Sequence, residues 1–152
     1  MSISFESSRL NPRTSRNVDD DDFVKNHVFI LGDMYFQVSK MWELTASTPN
    51  TLQLAAPFHR NLDYPVWGVP PNEVLAHPGA YGHHYDRIRR ADMSYPIIMY
   101  NGIIESKKGE RFFLSHMVLD GYHRLSRSKM DELTYVNTVY LTHDQLMSCK
   151  LN

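Results

Sequence analysis

The segment MVLDGYHRLSRSK, residues 117–129, joins an apolar strand pattern, an Asp-Gly pair and a helix pattern in this 152-residue chain. We predict a buried strand that ends at Asp120-Gly121 and a helix that begins at Tyr122. The first N–H groups of a helix lack partners inside it, and the helix dipole adds a partial positive charge there. Gly121 has no Cβ, so an anion can approach these amides closely. The segment therefore predicts a phosphate site.

Three side chains beside this turn carry groups that suit a phosphate or its counterion. Arg124 offers a planar guanidinium fork, and His123 offers a further hydrogen-bond donor. The carboxylate of Asp120, at the end of the strand, is suited to hold Mg²⁺ or to orient a hydroxyl. An Asp-Gly pair before a helix is also a common turn and N-cap, so the spacing alone leaves a purely structural role open.

A second basic cluster lies in a helix that we predict over residues 81–92. His83, Arg87 and Arg90 share one face of this helix, at steps of four and three residues. If that face looks toward Gly121, it adds positive charge beside the phosphate. A solvated basic surface, offset by two aspartates of the same segment, is the alternative.

The chain after Pro96 contains no further proline, so we expect its densest regular structure there. The predicted elements are a strand over 96–100, a turn at 101–102, a hairpin tip at 107–110, a second strand over 111–119, a helix over 122–130, a third strand over 134–141 and a short helix over 143–151. These elements predict a mixed α/β domain.

The N-terminal third is expected to be helical. Residues 1–18 are predicted to form a flexible polar arm. The aspartates 19–22 suit a helix start, and apolar residues up to Trp42 recur at a period of 3.6, so we predict a helix over roughly 21–45. A turn at residues 47–50 is expected to end this helix. The five prolines between residues 57 and 78 argue against long helices and central strands over 51–79 and favour short helices, one of them near 71–76.

Two strings resemble the ParB/sulfiredoxin superfamily: Tyr95-Pro-Ile-Ile and, after a hairpin, Val118-Leu-Asp-Gly-Tyr-His-Arg-Leu. The resemblance covers about residues 62–142 and implies an α/β (α+β) fold, a small mixed sheet with flanking helices. The helical extension, about 19–60, lies outside it, and we expect one domain over 19–152. In the superfamily the glycine, histidine and arginine contact nucleotide phosphates, which implies the same for Gly121, His123 and Arg124.

The chain departs from each known branch. Sulfiredoxins carry a nucleophilic cysteine where this chain has Tyr122, and partitioning ParB proteins continue well beyond the equivalent of Leu141. The free-serine kinases resemble the chain best, but their catalytic glutamate is missing from residues 77–86, where Glu73 and Asp86 are the nearest acids. Kinase activity is therefore unsupported at its most important residue.

These observations predict a nucleotide-binding protein that takes ATP, ADP or CTP with Mg²⁺ and performs phosphoryl transfer to a small acceptor or hydrolyses the nucleotide. A non-catalytic, nucleotide-responsive module that docks a protein partner through the N-terminal helix is the alternative. A nuclease or nucleic-acid-binding protein is a second alternative, which the net charge of −1 disfavours. The predicted site comprises catalytic Asp120 and His123, metal-binding Asp120, and nucleotide-binding Gly121, Tyr122, His123, Arg124, Arg87 and Arg90.

Composition indicates a soluble globule with 42% hydrophobic and 22% charged residues. The single cysteine, Cys149, cannot form an internal disulfide, and neither a membrane-spanning run nor a secretory signal is recognisable, so we expect a cytoplasmic protein. The histidines lack the spacings of zinc sites. Trp42 and Trp67 are expected in the core, with a place beside a nucleobase as the alternative for Trp67.

Overall fold

The computed structural model describes residues 5–10, by their backbone alone, and residues 27–152. The strands are β1 (Phe5–Leu10), β2 (Val28–Leu31), β3 (Met34–Gln37), β4 (Pro49–Leu54), β5 (Ile97–Glu105), β6 (Arg111–Asp120) and β7 (Tyr135–Tyr140). The α-helices are α1 (Val38–Thr45), α2 (Pro71–Ala76), α3 (Gly82–Arg89), α4 (Tyr122–Met130) and α5 (His143–Ser148), and two 3₁₀ segments span Ala56–Asp63 and Pro78–Ala80.

The expected small mixed sheet is confirmed. Five strands pair in the order β1-β4-β7-β5-β6, with β5 and β7 parallel and the other neighbours antiparallel. The chain passes from β5 through its hairpin partner β6 and helix α4 before it returns as β7. Among the described residues, no helix is long and apolar enough to cross a bilayer.

The helix predicted over 21–45 is wrong for most of its described length. Strands β2 and β3 form a separate two-stranded antiparallel sheet, and only α1 is helical. Gly32, at a φ of +60°, supplies the backbone conformation that the turn between them requires. Met34 and Phe36 are buried while Tyr35 between them is 42% exposed, which is the two-residue period of a strand. The four aspartates lie outside the described residues.

Strand β4 was missed. Residues 47–50 were expected to form a turn and the stretch after them to lack central strands, yet β4 lies between β1 and β7 in the sheet. Pro49 is tolerated because it begins the strand, and the next proline, Pro57, comes only after the strand has ended. Within the range predicted as a flexible arm, Phe5–Leu10 forms β1, and the rest lies outside the described residues.

The β5–β6 hairpin was predicted correctly except for one turn. Residues 101–102 do not end the first strand, because β5 continues to Glu105 and the hairpin tip lies just beyond it. The pairing register shifts beside Asn101, where Ser115 and His116 of β6 face one residue of β5. His116 has a φ of +47°, and its N–H donates to the Asn101 side chain. The irregularity that suggested a turn is therefore a bulge.

The sheet packs a hydrophobic cluster on each face. One cluster joins the sheet to α1 and α5, and it contains among others Phe36, Met41, Trp42, Ile98 and Leu146. The other lies beneath α4 and the first 3₁₀ segment, and it contains Phe58, Leu62, Met99, Val118 and Leu125. The adjacent residues of β5 thus alternate between the two cores. The core position predicted for Trp42 is confirmed.

The side chain of Asn61 hydrogen-bonds backbone groups on the open edge of strand β6. Its Nδ2 donates to the carbonyls of Phe58, at 2.9 Å, and His116, at 3.2 Å, and its Oδ1 accepts from the N–H of Val118 at 3.1 Å. Asn61 is 1% exposed, so these bonds form in the interior. The side chain takes the place of a neighbouring strand and fixes the part of β6 that leads into Gly121.

Candidate functional site

Gly121 shapes the junction between β6 and α4. It is the N-cap residue of α4, with φ 112° and ψ 24°, and its carbonyl accepts from the N–H of Leu125 at 2.9 Å. A Cβ at this position would lie 3.0 Å from Nη2 of Arg124 and 3.2 Å from the backbone of Ile97. Within residues 27–152, no side chain caps this helix start. The predicted glycine turn is therefore present, and its Cβ side is filled by protein.

Arg124 turns toward the protein interior. Its Nη2 donates to Oδ2 of Asp120 at 3.2 Å, and Nε1 of Trp42 donates to the same oxygen at 2.7 Å. Arg124 is 7% exposed and Asp120 is 6% exposed. Nε of Arg124 is buried and has no hydrogen-bond partner among the described residues. The guanidinium thus pairs with the carboxylate at the end of β6, which Trp42 of α1 also binds, whereas we expected it to contact a phosphate.

The residues at this turn do not fit Mg²⁺. The buried oxygen of Asp120 is engaged by two protein donors, of which one is a cation. No group of three histidine, cysteine or acidic side chains suitable for a metal ion occurs within residues 27–152. A cation that prefers several oxygen ligands finds only one carboxylate here, and that one is neutralised. We therefore derive no step through a metal.

Tyr122 is part of the core beneath α4. Its hydroxyl donates to the carbonyl of Val118 at 2.7 Å, and the ring packs against the cluster that contains Leu125. Burial raises the pKa of Tyr122, and the nearby Tyr64 and Asp120 raise it further. Tyr122 therefore stabilises the first turn of α4 from below and does not present its hydroxyl to a ligand.

His123 forms a stacked group with residues of two other segments. Its ring lies beside that of His84 of α3, with Nε2 of His123 at 3.3 Å from Nδ1 of His84. The indole of Trp67 covers both rings, at centroid distances of 4.3 Å to His123 and 4.5 Å to His84 and interplanar angles of 18° and 9°. The two imidazoles thus form one flat surface under a tryptophan, at the N-terminus of α4.

The surroundings of the two imidazoles are positively charged. Burial lowers the pKa of His123 to about 2, and Arg87, His84, His27 and His83 lower it in that order of importance. Burial also lowers the pKa of His84, followed by the charges of His83 and Arg87. Both rings are therefore neutral near pH 7, in a field that favours an anion over a cation.

Arg87 and Arg90, which we predicted on one basic face of this helix, have different surroundings. Arg87 lies close enough to act on His123, as expected. Arg90 follows the end of the helix and pairs with Asp86 at 2.8 Å, as does Arg89. The side chain of Arg90 is 64% exposed and does not act on His123. The charge of Arg87 thus acts on His123, whereas that of Arg90 does not.

Sequence reasoning missed His84 and misplaced Trp67. We expected Trp67 in the core, but it is half-buried on the two histidines. The available signal was the composition of residues 64–67, Tyr-Pro-Val-Trp, which is unsuited to a helix or a central strand. In the structure Tyr64 and Val66 are 42% and 39% exposed.

Comparison of the chain with protein-family models, with curated proteins and with solved structures finds no match. The relation to the ParB/sulfiredoxin superfamily therefore stays a prediction that rests on the quoted strings.

Proposed function

We propose that this protein binds a nucleotide through its phosphate end at the N-terminus of α4, as a non-catalytic, nucleotide-responsive module. One observation carries the proposal: the neutral pair His84–His123 lies under the half-buried indole of Trp67 at the start of α4, and Arg87 adds positive charge that acts on both rings. Each component favours an anion, and they come from three separate segments of the chain.

The phosphate part of the proposal rests on charge and on donors. Uncapped N–H groups at a helix start bind anions, aided by the dipole of the nine-residue α4. Arg87 adds a full positive charge beside His123. Because both imidazoles are neutral and share one N–H in their mutual contact, the pair retains one outer N–H that can donate to a phosphate oxygen.

The nucleoside part of the proposal rests on the loop that carries Trp67. The indole is fixed from one side by its stack on the two imidazoles, so it is a rigid planar surface. Stacking of a base on an aromatic side chain contributes about 1–3 kcal/mol. Tyr64 and Val66 extend this exposed apolar surface. A bare phosphate would make no use of it.

Binding is better supported than phosphoryl transfer. Transfer needs a group that orients or deprotonates the attacking hydroxyl. The carboxylate predicted for this role, that of Asp120, is buried and held by Trp42 and Arg124. Asp86, another acid near the site, is paired with Arg89 and Arg90. We therefore propose a ligand role for the nucleotide.

Titration calorimetry with ADP, ATP and CTP, each with and without Mg²⁺, tests this proposal. We expect binding that does not require the metal, a loss of about tenfold or more in Arg87→Gln, and wild-type affinity in Arg89→Gln, the matched control on the same helix. Trp67→Leu should weaken ADP binding more than pyrophosphate binding. Absence of binding overturns the proposal, and turnover of ATP with Mg²⁺ overturns its non-catalytic part.

A further inference from the structure

The His84–His123 contact limits where protons can sit. Nδ1 of His84 and Nε2 of His123 face each other at 3.3 Å, so one of them carries a hydrogen and the other accepts it. If both carried hydrogens, the contact would be repulsive, and if neither did, two lone pairs would face each other. The contact therefore contains one proton, whichever ring donates.

The number of protons then determines the protonation of the two outer nitrogens, Nε2 of His84 and Nδ1 of His123. Two neutral rings carry two protons in total, and one of them lies in the contact. If His84 donates, its Nε2 is bare and Nδ1 of His123 carries the second hydrogen. If His123 donates, its Nδ1 is bare and Nε2 of His84 carries it. In both arrangements one outer nitrogen is an acceptor, and protonation there leaves the contact intact.

We propose that this pair acts as a single-proton acceptor: a phosphate that binds at the N-terminus of α4 brings one proton onto the His84–His123 pair, and the affinity for nucleotides therefore rises on acidification. The inference rests on the proposed nucleotide site. It adds that the two histidines act as one titrating unit, so that one proton and not two accompanies each phosphate.

The charges around the pair give the direction of the effect. Arg87 and His83 face it from α3 and His27 from the segment before β2, and in the free protein they oppose any further positive charge. The loop of Trp67 adds an uncharged ring. A bound phosphate places negative charge in this group, so protonation of the pair becomes favourable. Affinity and protonation then strengthen each other.

Calorimetric titration of ADP at a series of pH values between about 5.5 and 8 tests the inference. In the double variant His84→Asn/His123→Gln the two amides replace the ring nitrogens of the contact, and neither can take up a proton. The ratio of wild-type to variant affinity cancels the titration of ADP itself. We expect this ratio to rise by up to about tenfold per pH unit on acidification, the limit for one proton. His143→Asn, which changes an exposed histidine at the start of α5, serves as the control and should match the wild type.

The outcomes separate the two proposals. A pH-independent ratio, with ADP still bound, overturns the proton coupling and leaves the nucleotide site in place, whereas a slope near two overturns the single-proton accounting. Failure of ADP to bind at any pH overturns the proposed function and this inference with it. If the variant does not fold, NMR of the ring nitrogens of the wild-type protein tests the proposal. Two unprotonated outer nitrogens in the free protein contradict the single-proton proposal, and so does one added proton in each ring upon ADP binding.

Discussion

Replacement of Arg124 by methionine separates a structural role from a ligand role. The substitution keeps the length of the side chain but removes the guanidinium from Asp120, whose Oδ2 lies 3.2 Å from Nη2. Both side chains are about 8% exposed, so the carboxylate remains buried after its cation is gone. Removal of one partner of a buried pair reduces the free energy of unfolding by about 3–5 kcal/mol. For a chain of this length, each kcal/mol lowers Tm by about 2–4 °C.

We therefore expect Arg124→Met to lower Tm by about 6–20 °C. Urea unfolding followed by tryptophan fluorescence measures the same loss as a free energy. Asp120→Asn in the same chain should restore part of it, because the amide oxygen can still accept from Trp42 and no charge is left unpaired. Arg89→Met removes an exposed pair and should leave stability close to that of the wild type. If Arg124→Met kept the stability of the wild type but lost ADP binding, the structural role of the Arg124–Asp120 pair would be refuted.

Three further results are expected. Gly121→Ala should lower the free energy of unfolding by about 2 kcal/mol or more, because the new Cβ lies 3.2 Å from Ile97 and a φ of 112° is strained for alanine. Wild-type stability of this variant in urea would contradict the prediction. Asn61→Leu should lower the free energy of unfolding by about 2–4 kcal/mol in the same assay, because it leaves buried backbone groups at His116 and Val118 unpaired. A loss below about 1 kcal/mol would show that β6 does not need these side-chain hydrogen bonds. The pKa of His123 and that of His84 lie below those of the unfolded chain, so the unfolded state binds more protons below pH ~6.5. The free energy of unfolding should therefore fall as pH drops from 7 to 5.5, by up to about 1.4 kcal/mol per pH unit from the buried His123 and by less from the more exposed His84. A flat profile would contradict the burial of His123.

The second half of the fold could be predicted from the sequence because its local signals agree. Helix α4 was expected over 122–130 and spans Tyr122–Met130, and β5, β6 and β7 lie where apolar and β-branched runs predict them. Each of these elements has one hydrophobic period and a clear boundary. The glycine turn at the candidate site belongs to the same group.

The first half could not be predicted because its signals conflict. The apolar residues before α1 fit a helix stripe as well as two short strands, and only the partners of Met34 and Phe36 across the core select the strands. The direction of the Arg124 side chain also could not be predicted from the sequence. An arginine at the start of a helix can face solvent or turn back to the preceding residues, and its direction depends on Trp42, which lies far away in sequence.

The pairing of β4 with β7 has a consequence for the folding rate. Thr138 of β7 donates to the carbonyl of Thr51, 87 residues earlier in the chain. Among the described strands β1 pairs with β4 alone, so both wait for a strand that lies more than 80 residues further along the chain. Such non-local pairing must overcome a large loop-closure entropy before it contributes stability. We therefore expect slow folding for a domain of this size, with the β5–β6 hairpin and α4 forming ahead of the strands that complete the sheet.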